Sequence, residues 1–226
     1  MPSSQRSRQS VRAPAESITP SGGLIAAAVE RCRISVFVLI RPRGGSFGYS
    51  DGEMEIMVRD IALVKSLGAH GVVAGVLQPN AMIDVKKVRM LVSAAQPLPV
   101  TFHRAFDYAS NRAESLEELI DAGVARVLTS GGANTALEGA SGIAALVRQA
   151  RGRIAIVAGG GIRENNVREV VALTGVTEVH ARISSIVGAA GGRGGKIKLR
   201  KRLPDDESAW EELDEHRMRD LVQQAG

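Results

Sequence analysis

From residue 34 to residue 183 the chain repeats one pattern: a short run of β-branched and aliphatic residues, a polar or glycine-rich break, then a stretch of helical period. Such alternation makes βα units, and these build a parallel sheet because each helix returns the chain to the start of the next strand. The pattern predicts strands over 34–40, 71–77, 98–103, 126–130, 153–158 and 178–183. Between them it predicts helices over 52–67, 84–95, 113–122, 137–150 and 164–173. Ser50-Asp51 offers an N-cap, and Gly68, Gly123 and Gly152 stand where helices should stop. Aromatic residues are only 3% of the chain, so its core must be built of Val, Ile, Leu and Ala, which suits strands buried on both faces.

A doubly wound sheet and a barrel share this pattern, and the loops decide between them. Polar and glycine-rich residues recur at the carboxyl ends of the strands: Arg41-Pro42-Arg43-Gly44-Gly45, His103-Arg104, Ser130-Gly131-Gly132, Gly159-Gly160-Gly161, and His180 with Arg182. A doubly wound sheet concentrates function at one switch point, whereas a barrel uses all its strand ends. The expected fold is therefore α/β, a TIM-type (β/α) barrel that is incomplete, with about six recognisable strands. Residues 1–17 read as a disordered Ser/Arg-rich tail, a composition shared with transit peptides but lacking a clear amphipathic face. The barrel then occupies 18–187, and 188–226 holds a Gly-rich linker and a C-terminal amphipathic helix over 208–224 that carries Trp210, Leu213, Met218, Leu221 and Val222.

One cysteine, Cys32, excludes an internal disulfide. The sequence has no run of 18 apolar residues and no signal-peptide core, so the expectation is an intracellular protein without a membrane span or Sec export. The formal charge is +5, with dense basic patches only at Arg6, Arg8, Arg12 and at Lys196, Lys198, Arg200, Lys201, Arg202. Neither patch interleaves aromatics, so specific nucleic-acid binding is not expected.

The most informative block is Thr101-Phe102-His103-Arg104-Ala105-Phe106-Asp107. His103 falls at the carboxyl end of a central strand, where imidazole can serve as metal ligand or acid/base group, with Asp107 close enough in sequence to orient it. The same residues can instead form a structural cluster closing the barrel top. Arg41 and Arg43, set across a proline, can clamp a carboxylate or phosphate, or Arg41 can simply pair with an acid in the mouth. Gly160 and Gly161, with Ser130 at the neighbouring strand end, can present amides to an anion where a helix begins, or simply make a tight turn. His180 shares a strand face with Glu178 and Arg182, read as inward, and these can satisfy one another. His70 belongs to the opposite end and is assigned no role. Cys32 lies before the first strand, far from the strand carboxyl ends, and without a second thiol it makes no recognisable soft-metal site. His103, His180 and Cys32 are the metal candidates.

Five motifs in register, Ile40-Arg41-Pro42-Arg43-Gly44-Gly45, Tyr49-Ser50-Asp51, Thr101 to Asp107, Leu128-Thr129-Ser130-Gly131-Gly132 and Gly159-Gly160-Gly161, resemble the CutC family from about Ser17 to about Ala181. The resemblance implies a TIM-type barrel in the cytoplasm, a role in copper homeostasis, binding of copper as Cu(I), and self-association. Family members open with a strand, a helix and a strand carrying cysteines and acids ahead of the stretch seen here as Thr19-Pro20-Ser21-Gly22-Gly23-Leu24. In this chain the Ser/Arg-rich tail stands there, so the barrel should be open along one side or closed by a neighbouring chain. Gly48 stands where many members have a cysteine. The expectation is a copper homeostasis protein whose partner is copper or a small anionic ligand; the alternative is a barrel enzyme or binding protein for a phosphorylated or carboxylated metabolite.

Overall fold

The computed structural model describes residues 18–188 and 209–226. Strands β1 (Phe37–Leu39), β2 (Gly71–Ala74), β3 (Val100–Phe102), β4 (Arg126–Thr129), β5 (Ala155–Gly159) and β6 (Glu178–His180) pair in sequence order. Every pairing is parallel, as βα connections require. The sheet curls into a half-barrel with helices. These are α1 (Gly22–Arg31), α2 (Asp51–Ser66), α3 (Val85–Ala95), α4 (Arg112–Asp121), α5 (Ala140–Ala150) and α6 (Val167–Thr174). Among the described residues, β1 pairs only with β2 and β6 only with β5, so the sheet is open between them. Thr19 covers the carboxyl end of β1: its N–H donates to the Arg41 carbonyl (2.9 Å), and its hydroxyl accepts from the Arg41 N–H (2.9 Å).

The helices form where the sequence sets apolar residues at helical spacing behind a cap. Ser50 and Glu53 make a reciprocal capping box at the start of α2, whose residues Met54, Met57, Ile61 and Val64 then fall on one buried stripe. On α3 the stripe is Val88, Leu91, Val92 and Ala95. Phe102 and Phe106 are fully buried with Ile40, Leu116, Leu119, Ile143 and Ile162, so two of the few aromatic residues anchor an otherwise aliphatic core. Gly139 allows the loop after β4 to fold tightly, because a Cβ there would sit 1.8 Å from the Ser130 carbonyl oxygen.

Five of the six strands lie inside their predicted ranges, and β5 runs one residue past its range, to Gly159. Helices α5 and α6 start three residues later than predicted, since Thr135 with Glu138 and Arg163 with Asn166 hold the preceding residues in side-chain-closed turns. The predicted helix over 208–224 is corrected: Ala209–Leu213 is a strand, β8, paired antiparallel with β7 (Ser184–Gly188). Sheet pairing satisfies the backbone of that half, and Asp214 then caps a shorter helix, α7 (Glu215–Ala225). Met218 packs against the core, Leu221 is buried, and Arg217 pairs with Glu164 (2.7 Å) ahead of α6. The tail over 1–17, the linker beyond Gly188 and the basic residues from Lys196 to Arg202 lie outside the described residues. No described helix is long and apolar enough to cross a membrane.

Candidate functional site

The strand carboxyl ends converge on one mouth, and its centre is His103. The chain leaves β3 at His103 and turns at once into a single 3-10 segment, Arg104–Tyr108. That turn brings the Ala105 N–H to His103 Nδ1 (3.1 Å), which accepts it. A neutral imidazole carries one proton, so with Nδ1 accepting, the proton is on Nε2. Nε2 is buried and has no hydrogen-bond partner among the described residues. The ring leans on Phe47, with centroids 4.9 Å apart, and on Phe102, 6.0 Å away. It also covers Gly75, where a Cβ would stand 2.6 Å from the ring. Burial, helped by the positive charge of Arg41, lowers the His103 pKa from 6.5 to about 4, so the ring is neutral at neutral pH.

The two arginines after β1 part company. Arg43 pairs with Glu53 and donates to the carbonyls of Gly44 (3.1 Å), Ser46 (2.9 Å) and Gly48 (2.7 Å), so its guanidinium braces its own loop. The predicted clamp is corrected on this point, because those carbonyls and Glu53 use the donors a ligand would need. The Ser50 amide first, and then Arg43, keep the Glu53 carboxyl below its ordinary range. Arg41 donates to the Gly45 carbonyl (2.8 Å) and lies over the Phe47 ring at 4.9 Å.

Asp107 does not orient His103, as the sequence suggested, because Nδ1 is taken by the Ala105 amide. The carboxylate instead accepts from Arg104 Nε (2.8 Å), the Thr129 hydroxyl, the Ser130 N–H (3.0 Å) and the Gly132 N–H (3.2 Å). Ser130, fully buried, accepts from Arg104 Nη2 (2.7 Å) and has the Ala133 carbonyl at 2.6 Å. This closed network locks the end of β4 to the turn after β3. Arg104 also reaches Gly160, where a Cβ would lie 3.1 Å from Nη1. Arg104, Asp107, Ser130 and Gly160 thus come together on one side of the mouth.

The glycine triplet does not open directly into a helix. A turn over 162–166 intervenes, in which Asn166 accepts from the Arg163 N–H (2.8 Å) and donates to the Gly161 carbonyl (2.9 Å). The expected helix-start amides at Gly160 and Gly161 are therefore corrected to amides of the segment just after β5, Gly160 beside Arg104 and Gly161 against Thr135. Glu178 pairs with Arg126 (3.0 Å) on β4. His180 is exposed rather than enclosed, since no described strand flanks β6 on its outer side. Sequence reasoning missed Phe47, Gly75 and Thr129. Gly75 was legible, because a glycine inside a strand pattern marks a close approach.

A model of the CutC family matches residues 11–185. The chain belongs to the CutC family. A family protein CutC of Xylella fastidiosa is 48% identical over 172 residues, 76% of this chain and 64% of that protein. The human copper homeostasis protein cutC homolog is 46% identical over 167 residues, 74% of this chain and 61% of the relative. The chain thus spans a little under two thirds of the length of these relatives. A crystal structure described as the copper homeostasis protein CutC of Streptococcus agalactiae superposes with a TM-score of 0.74 at 37% identity, covering 77% of this chain and 87% of the other. An aldolase, QR15, reaches 0.56 at 18% identity and shares the fold alone.

The donor set of this CutC chain fits a copper thiolate site poorly. Cys32 caps the end of α1, ahead of β1, at the opposite end of the sheet from the mouth. His103 presents a proton at Nε2 and a committed lone pair at Nδ1. Among the described residues no three His, Cys, Asp or Glu side chains gather as a metal would need. His70, given no role from sequence, accepts from the Val36 N–H (3.0 Å) and ties the start of β2 to the start of β1.

Proposed function

We propose that this CutC-family chain acts in copper homeostasis, in the cytoplasm and as a self-associating protein, through the barrel segment over 18–187. The observation that carries this reading is the family match over 11–185, which spans all the strand ends that form the mouth. The named role of the mouse and human relatives supports it. Copper enters this reading as the cargo or signal that the protein handles. The test is expression in a copper-sensitive host lacking its own family member. Growth on copper restored above the empty vector is the expected result; growth equal to the vector refutes the reading.

A second reading, that the mouth binds a small anionic metabolite, is favoured by one specific feature. His103 holds an N–H donor in a buried position beside Arg41, with no protein acceptor among the described residues. A ligand bound only by the native state raises stability, so a thermal-shift screen of carboxylated and phosphorylated metabolites tests it directly. No stabilisation by any member of the screen counts against this reading and leaves the copper role untouched.

A further inference from the structure

We propose that His103 and Arg41 form a recognition site for a small 2-oxo carboxylic acid, with His103 Nε2–H donating to its carbonyl oxygen and the Arg41 guanidinium facing its carboxylate. This deepens the second reading of the mouth and does not depend on the copper role.

The imidazole of His103 is fixed in one tautomer. The Ala105 amide pins Nδ1 as an acceptor, so Nε2 can only donate. Native proteins rarely leave such a buried donor without an acceptor, and none of the described protein groups supplies one. The position is more than nine-tenths buried, yet it stands at a strand carboxyl end, where barrels of this type bind their ligands. Gly75 makes room for the ring, since any side chain there would push it out of place.

The walls select the ligand. Phe47 and Phe102 flank the imidazole, so His103 offers one uncharged donor between two aromatic rings. That suits one sp2 oxygen far better than a phosphate dianion, which calls for several charged or backbone donors at once. Burial holds the imidazole neutral, the state in which an imidazole polarises a carbonyl without protonating it. Arg41 and His103 each lie 4.9 Å from the Phe47 ring centre, so a cation and a neutral donor flank the same aromatic side chain. A metal ion is disfavoured at this place because Nε2 presents a proton to it.

The test uses the full chain, 15N-labelled at histidine, in buffer stripped of metals, with pyruvate as the probe. The His103 ring is expected in the Nε2–H tautomer between about pH 5 and 8. Pyruvate should move its Nε2 resonance saturably; acetate, which lacks the carbonyl, should bind about tenfold more weakly, the worth of one modest hydrogen bond. Inorganic phosphate should leave the resonance in place. Arg41→Lys should weaken pyruvate binding while keeping the tautomer. An Nδ1–H tautomer, an unmoved resonance at saturating pyruvate, or phosphate binding as tightly as pyruvate would each overturn the proposal. So would a selective, saturable shift of the His103 ring nitrogens on adding Cu(I), which would return the site to the metal.

Discussion

The buried neutral state of His103 makes the stability of the fold depend on pH in a defined window. Unfolded, the imidazole titrates near 6.5; folded, burial and the Arg41 charge hold it at about 4. Between these values the unfolded chain binds a proton that the folded chain does not, so acidification favours unfolding. The stability associated with this group is full above the unfolded value, falls through the window, and is gone once the pH is below the folded value. A tenfold difference in proton affinity between the two states is worth about 1.4 kcal/mol, so the whole window amounts to about 3 kcal/mol. Urea unfolding of the wild type and of His103→Gln, followed from about pH 8 to pH 4, isolates the effect, because the paired carboxylates are common to both chains. The wild type should lose about 3 kcal/mol more than the variant over that range. Parallel stability curves would refute the reasoning, as would an NMR titration placing His103 at its ordinary pKa.

Two further substitutions test the geometry of the mouth, and a third tests the lone thiol. Gly75→Ala places a methyl group 2.6 Å from the His103 ring and should cost about 1–3 kcal/mol in urea unfolding, with a shift of the His103 resonances; an unchanged spectrum would contradict the packing. Asp107→Asn keeps the shape of the hub but removes the charge facing Arg104, and about 1–3 kcal/mol should be lost. A neutral result there would mean that the network does not lock the end of β4. In competition with a chromophoric Cu(I) chelator, wild type and Cys32→Ser should behave alike; tight binding present only in the wild type would reveal a thiolate site that the described residues do not form.

The parallel sheet was legible because its signal is repeated six times, and each strand is bounded by polar or glycine-rich residues that mark its carboxyl end. The residues of the mouth were legible for the same reason, since position at a strand end is a property of the pattern. Their partners were not. Whether Arg43 meets a ligand or Glu53 depends on how the loop over 44–49 folds, and three carbonyls of that loop settle it. Asp107 lies four residues from His103 in sequence, yet the 3-10 turn directs it to β4. The segment over 209–213 carried a helical period by chance of composition, and its strand partner is distant in sequence, where local pattern has no reach.

The openness of the half-barrel divides the mouth into two kinds of residue. His103, Arg104, Asp107, Ser130 and Gly160 stand at the ends of β3, β4 and β5, each of which has a strand on both sides. Their geometry is therefore set by this chain. Arg41 and His180 stand at the ends of β1 and β6, which have one strand neighbour each among the described residues. Thr19 and the Gly45 carbonyl hold the Arg41 backbone and guanidinium from within the chain. His180, in contrast, is exposed on the far rim. A ligand that needs only the β3 to β5 side and Arg41 can bind to this chain alone, whereas one that spans from Arg41 across the gap to His180 requires whatever closes the barrel. Affinity for a small 2-oxo acid should accordingly be independent of protein concentration, while any activity that involves His180 should rise with self-association.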